Sequence, residues 1–263
     1  MSLTGKTIAN SYKDLLQVDN SNSGVDTTIR NVKDGEGTAS ALSISDDVVT
    51  ITPQTDNTTG TFIVADQGTS NILLSVDSTN GAVKGPNANY INTQYQYFSI
   101  ARPITSAGQH QSMPIGANTG TRAGADLGTG TNPATTYDLS ADTSYPEYAV
   151  YTYWRVPDAI TIDSVTVLAS AFGTGTGTDV HFHLMSYDMS TSAGSLGDLS
   201  NGNVLFNSSA DIEDVVETEI HLQTLSSVDT RVAAGKIILA TFEESNSAGA
   251  NAQAIMTVKY HLT

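Results

Sequence analysis

The sequence contains no cysteine among its 263 residues, which excludes a disulfide framework and any thiolate zinc site. Basic residues are also scarce, because 11 Lys and Arg stand against 27 Asp and Glu, for a formal net charge of -16. Binding to a phosphate backbone needs clustered Lys and Arg, so nucleic acid is not an expected partner. An acidic surface of this kind keeps a protein soluble and opposes unwanted association.

Long apolar runs are absent as well. The first ten residues, from Met1 to Asn10, contain no apolar segment of the kind found in signal peptides. The longest apolar candidate, Val165 to Phe172, is interrupted by Thr and Ser and has the length of a strand rather than that of a membrane span. The sequence therefore predicts neither a secretory leader nor membrane insertion.

Charged residues make up 14% of the chain and aromatic residues 7%, while Thr, Ser, Asn, Gly and Asp are abundant. Long helices need Ala, Leu, Glu, Lys and Arg, so this balance favours strands joined by many turns. We predict an all-β protein with three zones. Residues 1–89 form a β-hairpin stalk, residues 90–145 form an irregular Gly/Thr-rich connector, and residues 146–263 form an antiparallel β-sandwich of jelly-roll type.

The first zone consists of short apolar runs separated by polar turns. Two segments resemble each other, Leu15 to Val25 and Leu73 to Val83, and Asn80-Gly81 predicts a two-residue hairpin turn in which both residues have positive φ. A second hairpin is predicted around Asp46-Asp47. Because a single β-hairpin ribbon of this kind is marginally stable in water, we expect the stalk to be oligomeric, and specifically trimeric. The alternative is an open sheet packed on the C-terminal domain.

The other two zones differ in pattern. Tyr90 to Ile100 alternates like a strand, whereas Ala107 to Pro133 is dominated by small residues and predicts a long loop or linker. The last zone contains about seven regular strand patterns, which predict the sandwich. These are Tyr148 to Val156, Ala159 to Ala171, Val180 to Tyr187, Val204 to Phe206, Glu219 to Leu225, Lys236 to Glu243 and Ala254 to Leu262.

Aromatic residues at the start of the last zone are the candidate ligand-binding residues: Tyr148, Tyr151, Tyr153 and Trp154. Aromatic rings stack on sugars, but they also fill sandwich cores and subunit interfaces, and the latter is the favoured interpretation. On the predicted strand, Tyr151 and Tyr153 share one face and Trp154 lies on the other.

The candidate metal site is the alternating set Asp179, His181 and His183, whose side chains would share one face of a strand. A polar strand face or an interface is the alternative. The segment from Asp19 to Gly24 begins like a calcium-binding loop, but Arg30 occupies the position that needs a bidentate Glu. No cofactor is predicted.

Catalytic motifs are not evident. The acidic run from Asp211 to Glu219 could hold paired carboxylates for glycoside hydrolysis, but a solvated loop is the favoured interpretation. The sequence contains no nucleophile elbow, phosphate loop ending in Gly-Lys-Ser/Thr, or His-Glu-x-x-His motif. We therefore predict that the protein is not an enzyme.

The N-terminal segments Thr7 to Asn20, Asp34 to Thr38 and Leu42 to Ile44 resemble fibre or decoration proteins of tailed bacteriophages, especially marine ones. The segment from Leu73 to Val83 also resembles the Leu-Leu-x-Val-Asp-x-x-x-Gly-x-Val unit of trimeric phage fibres. The resemblance covers roughly residues 1–98. It implies a homotrimer on the virion surface, assembled in the host cytoplasm, with an N-terminal anchor on capsid or tail proteins and an outward C-terminal domain.

The function that follows is a head fibre, tail fibre or capsid decoration protein that binds the host surface, with glycans as a possible class of ligand, or stabilises the particle. Multivalency would strengthen weak contacts of this kind. The alternatives are a polysaccharide-degrading tail spike and a secreted carbohydrate-binding module.

Overall fold

The computed structural model describes residues 12–21, 23–103, 108–116, 125–141, 146–172, 180–208, 220–244 and 251–263. Contacts within the chain divide it into two compact units, Met1–Ile91 and Asn92–Thr263. Strands dominate both units, as predicted from the composition. No helix in the described part of the chain is long and apolar enough to cross a membrane.

The first unit contains two small antiparallel sheets. One sheet has the order β1-β2-β3-β4, and the other has the order β5-β6-β7. The strands are β1 Gln17–Val18, β2 Arg30–Lys33, β3 Ala39–Ile44, β4 Val49–Ile51, β5 Phe62–Ala65, β6 Ile72–Asp77 and β7 Ala82–Lys84. The predicted hairpin around Asp46-Asp47 is confirmed, since Ile44 pairs with Val49. Short 3-10 helices lie at Tyr12–Asp14 and Pro86–Ala88.

The hairpin at Asn80-Gly81 is present, but its turn is longer than the sequence predicts. Asp77 pairs with Ala82, so four residues connect the strands, and of the two predicted positions only Gly81 has a positive φ, of 66°. The physical reason is the buried carboxylate of Asp77. It accepts hydrogen bonds from the backbone N–H groups of Thr79 and Asn80, at 3.1 and 3.0 Å, and so stabilises a wider Asx-type turn.

The described residues of the second unit form eleven strands and one α-helix. A 3-10 helix at Leu139–Ala141 precedes the α-helix, α1 Pro146–Thr152. The strands are β8 Thr93–Pro103, β9 Gln111–Ser112, β10 Trp154–Arg155, β11 Ile160–Phe172, β12 Val180–Met189, β13 Leu199–Asn207, β14 His221–Thr224, β15 Ser226–Ser227, β16 Arg231–Val232, β17 Ile237–Glu244 and β18 Asn251–Leu262.

The strand order confirms the predicted jelly roll. One sheet has the order β14-β11-β18-β8, and the other has the order β10-β17-β12-β13, extended by β15. When the eight principal strands β8, β10, β11, β12, β13, β14, β17 and β18 are lettered B to I in chain order, these are the BIDG and CHEF sheets of a jelly roll. All the strand pairs are antiparallel.

The main hydrophobic core lies between these two sheets. From the CHEF sheet it receives alternating residues such as Phe182 and Leu184 of β12 and Phe242 of β17. From the BIDG sheet it receives residues such as Val167 and Met256. The period-2 patterns in the sequence predicted these inward positions, because successive side chains of a strand point to opposite faces.

The segment predicted as a strand from Tyr148 to Val156 is instead mainly helical, with only Trp154–Arg155 in a strand. Pro146 occupies the first helical position, where its fixed φ suits a helix and its missing N–H is not needed. The hydroxyl of Thr152 donates a hydrogen bond to the carbonyl of Ala149 at 3.1 Å in the last turn. The prediction that Tyr151 and Tyr153 share one face of a strand is therefore wrong, because Tyr151 lies in the helix.

Described residues within the predicted connector, residues 90–145, form part of the sandwich. Strand β8 is the edge strand of the BIDG sheet, and β9 pairs with β17. Ala125, Leu127 and Tyr137 are buried in a second hydrophobic cluster with residues of β12, β13 and β17. Strand β17 is buried along its whole length, so its outward apolar side chains require this cover. Small residues thus signal close packing here, and not only a linker.

Candidate functional site

Two histidines predicted as metal ligands lie on the outward face of the CHEF sheet. Phe182 points into the core, so the neighbouring residues of β12, His181 and His183, point to the other side. In the register of β12 and β17, Glu243 pairs with His181 and Thr241 pairs with His183. The Nδ1 atom of His181 lies 3.0 Å from Oε2 of Glu243. Both strands thus bring polar side chains to one place.

A third histidine, His110, joins them from the segment that precedes β9. Its ring lies edge-on to the ring of His183, with 5.0 Å between the ring centroids. Its Nε2–H donates to the carbonyl of Gly130 at 2.6 Å. We call His110, His181, His183, Thr241 and Glu243 the histidine cluster. No local signal pointed to His110, because it reaches the cluster only through the packing of residues 108–116 and 125–130 against the sheet.

The electrostatics of the histidine cluster follow from its burial. Burial lowers the pKa of His183 to about 4, and the positive charges that His110 and His181 can carry act in the same direction. Burial also lowers the pKa of His110, although its hydrogen bond to Gly130 opposes the change. The hydrogen bond from His181 holds the pKa of Glu243 below its usual value. His110 and His183 are therefore neutral at pH 7.

Three buried atoms of the histidine cluster have no hydrogen-bond partner: Nδ1 of His110, Nδ1 of His183 and Oγ1 of Thr241. A buried polar group left without a partner costs about 1–3 kcal/mol. Within the described residues, no group of three or more His, Cys, Asp or Glu side chains is placed so that it could hold a metal ion. Asp179 lies outside the described residues, so the metal site of Asp179, His181 and His183 stays a prediction.

The three aromatic candidates whose side chains the structure describes do not form one platform. Tyr151 is exposed on α1, whereas Tyr153 packs against the second hydrophobic cluster and donates a hydrogen bond to the carbonyl of Gly197 at 3.2 Å. Trp154 packs against the main core, with its ring centroid 5.0 Å from that of Tyr260. Tyr148 lies within α1. A ligand role for these four residues stays a prediction.

Two other segments weighed in the sequence cannot be placed. The acidic run from Asp211 to Glu219 lies outside the described residues, and so does the Gly-x-Gly-x-Gly segment from Gly173 to Gly177, whose sequence suggests a hairpin loop.

Exposed apolar side chains are the most prominent surface feature of the first unit. All four residues of β5 are exposed, and they include Phe62, Ile63 and Val64. Successive residues of a strand point to opposite faces, so both faces of this strand present apolar side chains to solvent. Among the described residues of the first unit, the buried hydrophobic residues are Val32 and Ala82. The unit therefore has almost no core of its own.

Comparison with known proteins gives no family. No protein-family model matches the chain, and no curated protein matches it. Among solved structures, a chain from the structure of infectious bursal disease virus, strain Gx, is similar at 10% identity and a TM-score of 0.23. The similarity covers 77% of this chain and 74% of that chain. A similarity at this level assigns no function.

Proposed function

We propose that this protein is a non-enzymatic structural component of a bacteriophage particle that functions as a homotrimer. It would be a head fibre, a tail fibre or a capsid decoration protein. The observation that carries the homotrimer is the exposure of Phe62, Ile63 and Val64 on both faces of β5, in a unit whose described residues include two buried hydrophobic ones. A sheet of this size needs further apolar contacts to be stable in water.

Identical copies provide such contacts without another protein. Large exposed apolar patches mark interaction surfaces, and the N-terminal sequence resembles trimeric phage fibres over roughly residues 1–98. The jelly roll of the second unit is an architecture that viral capsid and lectin domains use. Fold alone does not determine function, so the virion location rests mainly on the sequence resemblance.

The mass of the full chain in solution tests the trimer. Light scattering coupled to size exclusion should give three times the 27.6 kDa of one chain. Ile63→Asp should shift the mass towards the monomer, because a carboxylate in an apolar contact is strongly disfavoured. Asp56→Asn, on an exposed residue of the same unit, is the control that should leave the trimer intact. A folded wild-type monomer at micromolar concentration would refute the proposal.

A further inference from the structure

The outward face of the BIDG sheet is uncharged over three consecutive rows of residues. The central row runs across all four strands through Ser99, Ile255, Leu168 and Leu222. One flanking row crosses the strands from Tyr97 of β8 to Thr224 of β14. The other crosses them from Ala101 of β8 to Ser170 of β11. We call these three rows the neutral face. None of its residues is Asp, Glu, Lys or Arg, in a chain with 27 acidic and 11 basic residues.

Three of the four residues in the central row of the neutral face are apolar, and all three are open to solvent. Leu168 and Ile255 are 46% and 48% exposed, and Leu222 is 71% exposed. A groove of about 320 Å³ lies beside Leu168 and Ile255 where Ser99, Ala101 and Ser170 leave room, and Ile220 lines its side. Exposed single apolar residues are common, but a contiguous apolar patch on a sheet marks an interaction surface.

Charge identifies the partner that suits this surface. A basic partner would be attracted to the acidic remainder of the chain, where carboxylates are abundant, and would gain nothing at the neutral face. Two copies that each carry a net charge of -16 repel each other wherever carboxylates meet. The neutral face is a place where one copy can approach another without bringing like charges together.

We infer that the neutral face is a contact surface between copies of this chain in the homotrimer, an inference that rests on the proposed function. Four strands spaced by about 4.8 Å give the face a width of roughly 14 Å. Three rows spaced two residues apart extend about 13 Å along the strands, so the face covers roughly 180 Å². A standard interface buries about 800 Å² per partner, which is several times more. The contact is therefore weak by itself, and the exposed strands of the first unit supply the rest of the association.

A thiol-accessibility experiment on the full chain tests the inference, because an introduced cysteine is the only thiol in the protein. Leu168→Cys places it in the neutral face, and Leu196→Cys places it on an exposed loop residue of the same unit. In the trimer, a thiol reagent should react with the Leu168→Cys thiol at least about ten-fold more slowly than with the Leu196→Cys thiol. The reason is that the core of an interface packs like a protein interior. Rates in denaturant, where the two variants should react equally, correct for intrinsic reactivity.

A second pair of variants tests the energetics. Leu168→Asp should shift the mass of the protein towards the monomer, whereas Leu196→Asp should not. Both positions are exposed in the single chain, so circular dichroism should report folded protein for each.

The outcomes separate this inference from the proposed function. A trimer in which both cysteines react at the same rate overturns the inference and leaves the trimer standing. A monomer with both cysteines reactive overturns the two together. A trimer whose Leu168→Cys thiol becomes protected only in assembled particles shows that another protein covers the neutral face, and it also overturns the inference.

Discussion

His183 shows how one residue changes character between sequence and structure. In the sequence it is one member of the alternating set Asp179, His181 and His183, which suggests a metal site. In the structure it is 3% exposed and contacts the ring of His110, which comes from a distant part of the chain. Its pKa of about 4 lies well below the ordinary value of 6.5 because burial disfavours the charged ring.

The depressed pKa of His183 makes stability depend on pH. Between about pH 6.5 and pH 4 the unfolded chain binds a proton at this residue and the folded chain does not. The free energy of unfolding should therefore fall as the pH is lowered through this window, by roughly 3 kcal/mol in total from His183. Urea unfolding at several pH values measures the change. His183→Gln should flatten the profile, and an unchanged slope in that variant would contradict the assignment.

Gly202 is a second residue whose role depends on packing. A Cβ atom there would lie 2.6 Å from Cε1 of Tyr187 and 2.7 Å from Cα of Thr135. The backbone N–H of Gly202 also donates to the carbonyl of Thr135 at 2.9 Å. The missing side chain thus allows the segment around Thr135 to lie directly against β13.

Gly202→Ala should lower the free energy of unfolding by about 1–3 kcal/mol, because the extra methyl group forces the packed backbone apart. Thermal unfolding measures the loss. Gly85→Ala is the control, since a Cβ atom at Gly85 meets only the carbonyl oxygen of Asn89, at 4.0 Å. Equal melting temperatures for the two variants would show that the close packing of Gly202 against Thr135 does not contribute to stability.

At the scale of elements, the β6–β7 hairpin is held by one carboxylate. Asp77 accepts hydrogen bonds from the backbone of Thr79 and Asn80 and from the Asn80 side chain, which lies 2.7 Å away. The side-chain hydrogen bond from Asn80 is the main reason why the pKa of Asp77 lies below its usual value. The negative form of Asp77 is thus the one that stabilises the hairpin.

Asp77→Ala should therefore speed hydrogen exchange at the amides of Thr79 and Asn80, which lose their acceptor. In the wild type the same protection should be present above the ordinary pKa of an aspartate and fall as the pH is lowered through the depressed pKa of Asp77. Nuclear magnetic resonance measures the exchange rates. Asp56→Ala, at an exposed position, should leave them unchanged, and the idea is wrong if both variants behave alike.

At the scale of the whole molecule, the proposed fibre has a direction. The sequence resemblance lies in the first unit, whose described residues form almost no core, whereas those of the second unit form a jelly roll with two hydrophobic clusters. A domain with its own core can be displayed without support from a particle. We therefore expect residues 1–40 to attach to the particle and the second unit to face outward.

Deletion variants test this direction. Removal of residues 1–40 should abolish incorporation into particles, whereas removal of residues 92–263 should leave incorporation intact and impair adsorption or particle stability. The second deletion begins at Asn92 because β8 belongs to the sandwich. Quantitative mass spectrometry of purified particles measures copy number. Normal incorporation of the chain without residues 1–40 would show that the proposed direction is wrong.

The sequence by itself determined the all-β class, most of the strands and the sandwich of the last zone. These properties depend on local geometry, since alternation along a strand, as at Phe182 and Leu184, assigns side chains to faces wherever the strand lies. The turn at Asp46-Asp47 is local for the same reason. Residues 148–152 are the exception, because aromatic alternation there outweighed the helix-starting signal of Pro146.

Only the tertiary structure decided which segments cover the outer faces of the two jelly-roll sheets. The CHEF sheet is covered by residues from the predicted connector, and this cover brings His110 to His183 and buries Leu127. The central BIDG rows around Leu168 stay exposed. Alternation along a strand indicates that one face of a sheet is apolar. The residues that cover this face are distant in sequence, and whether they reach it depends on loop closure and on packing across the whole chain.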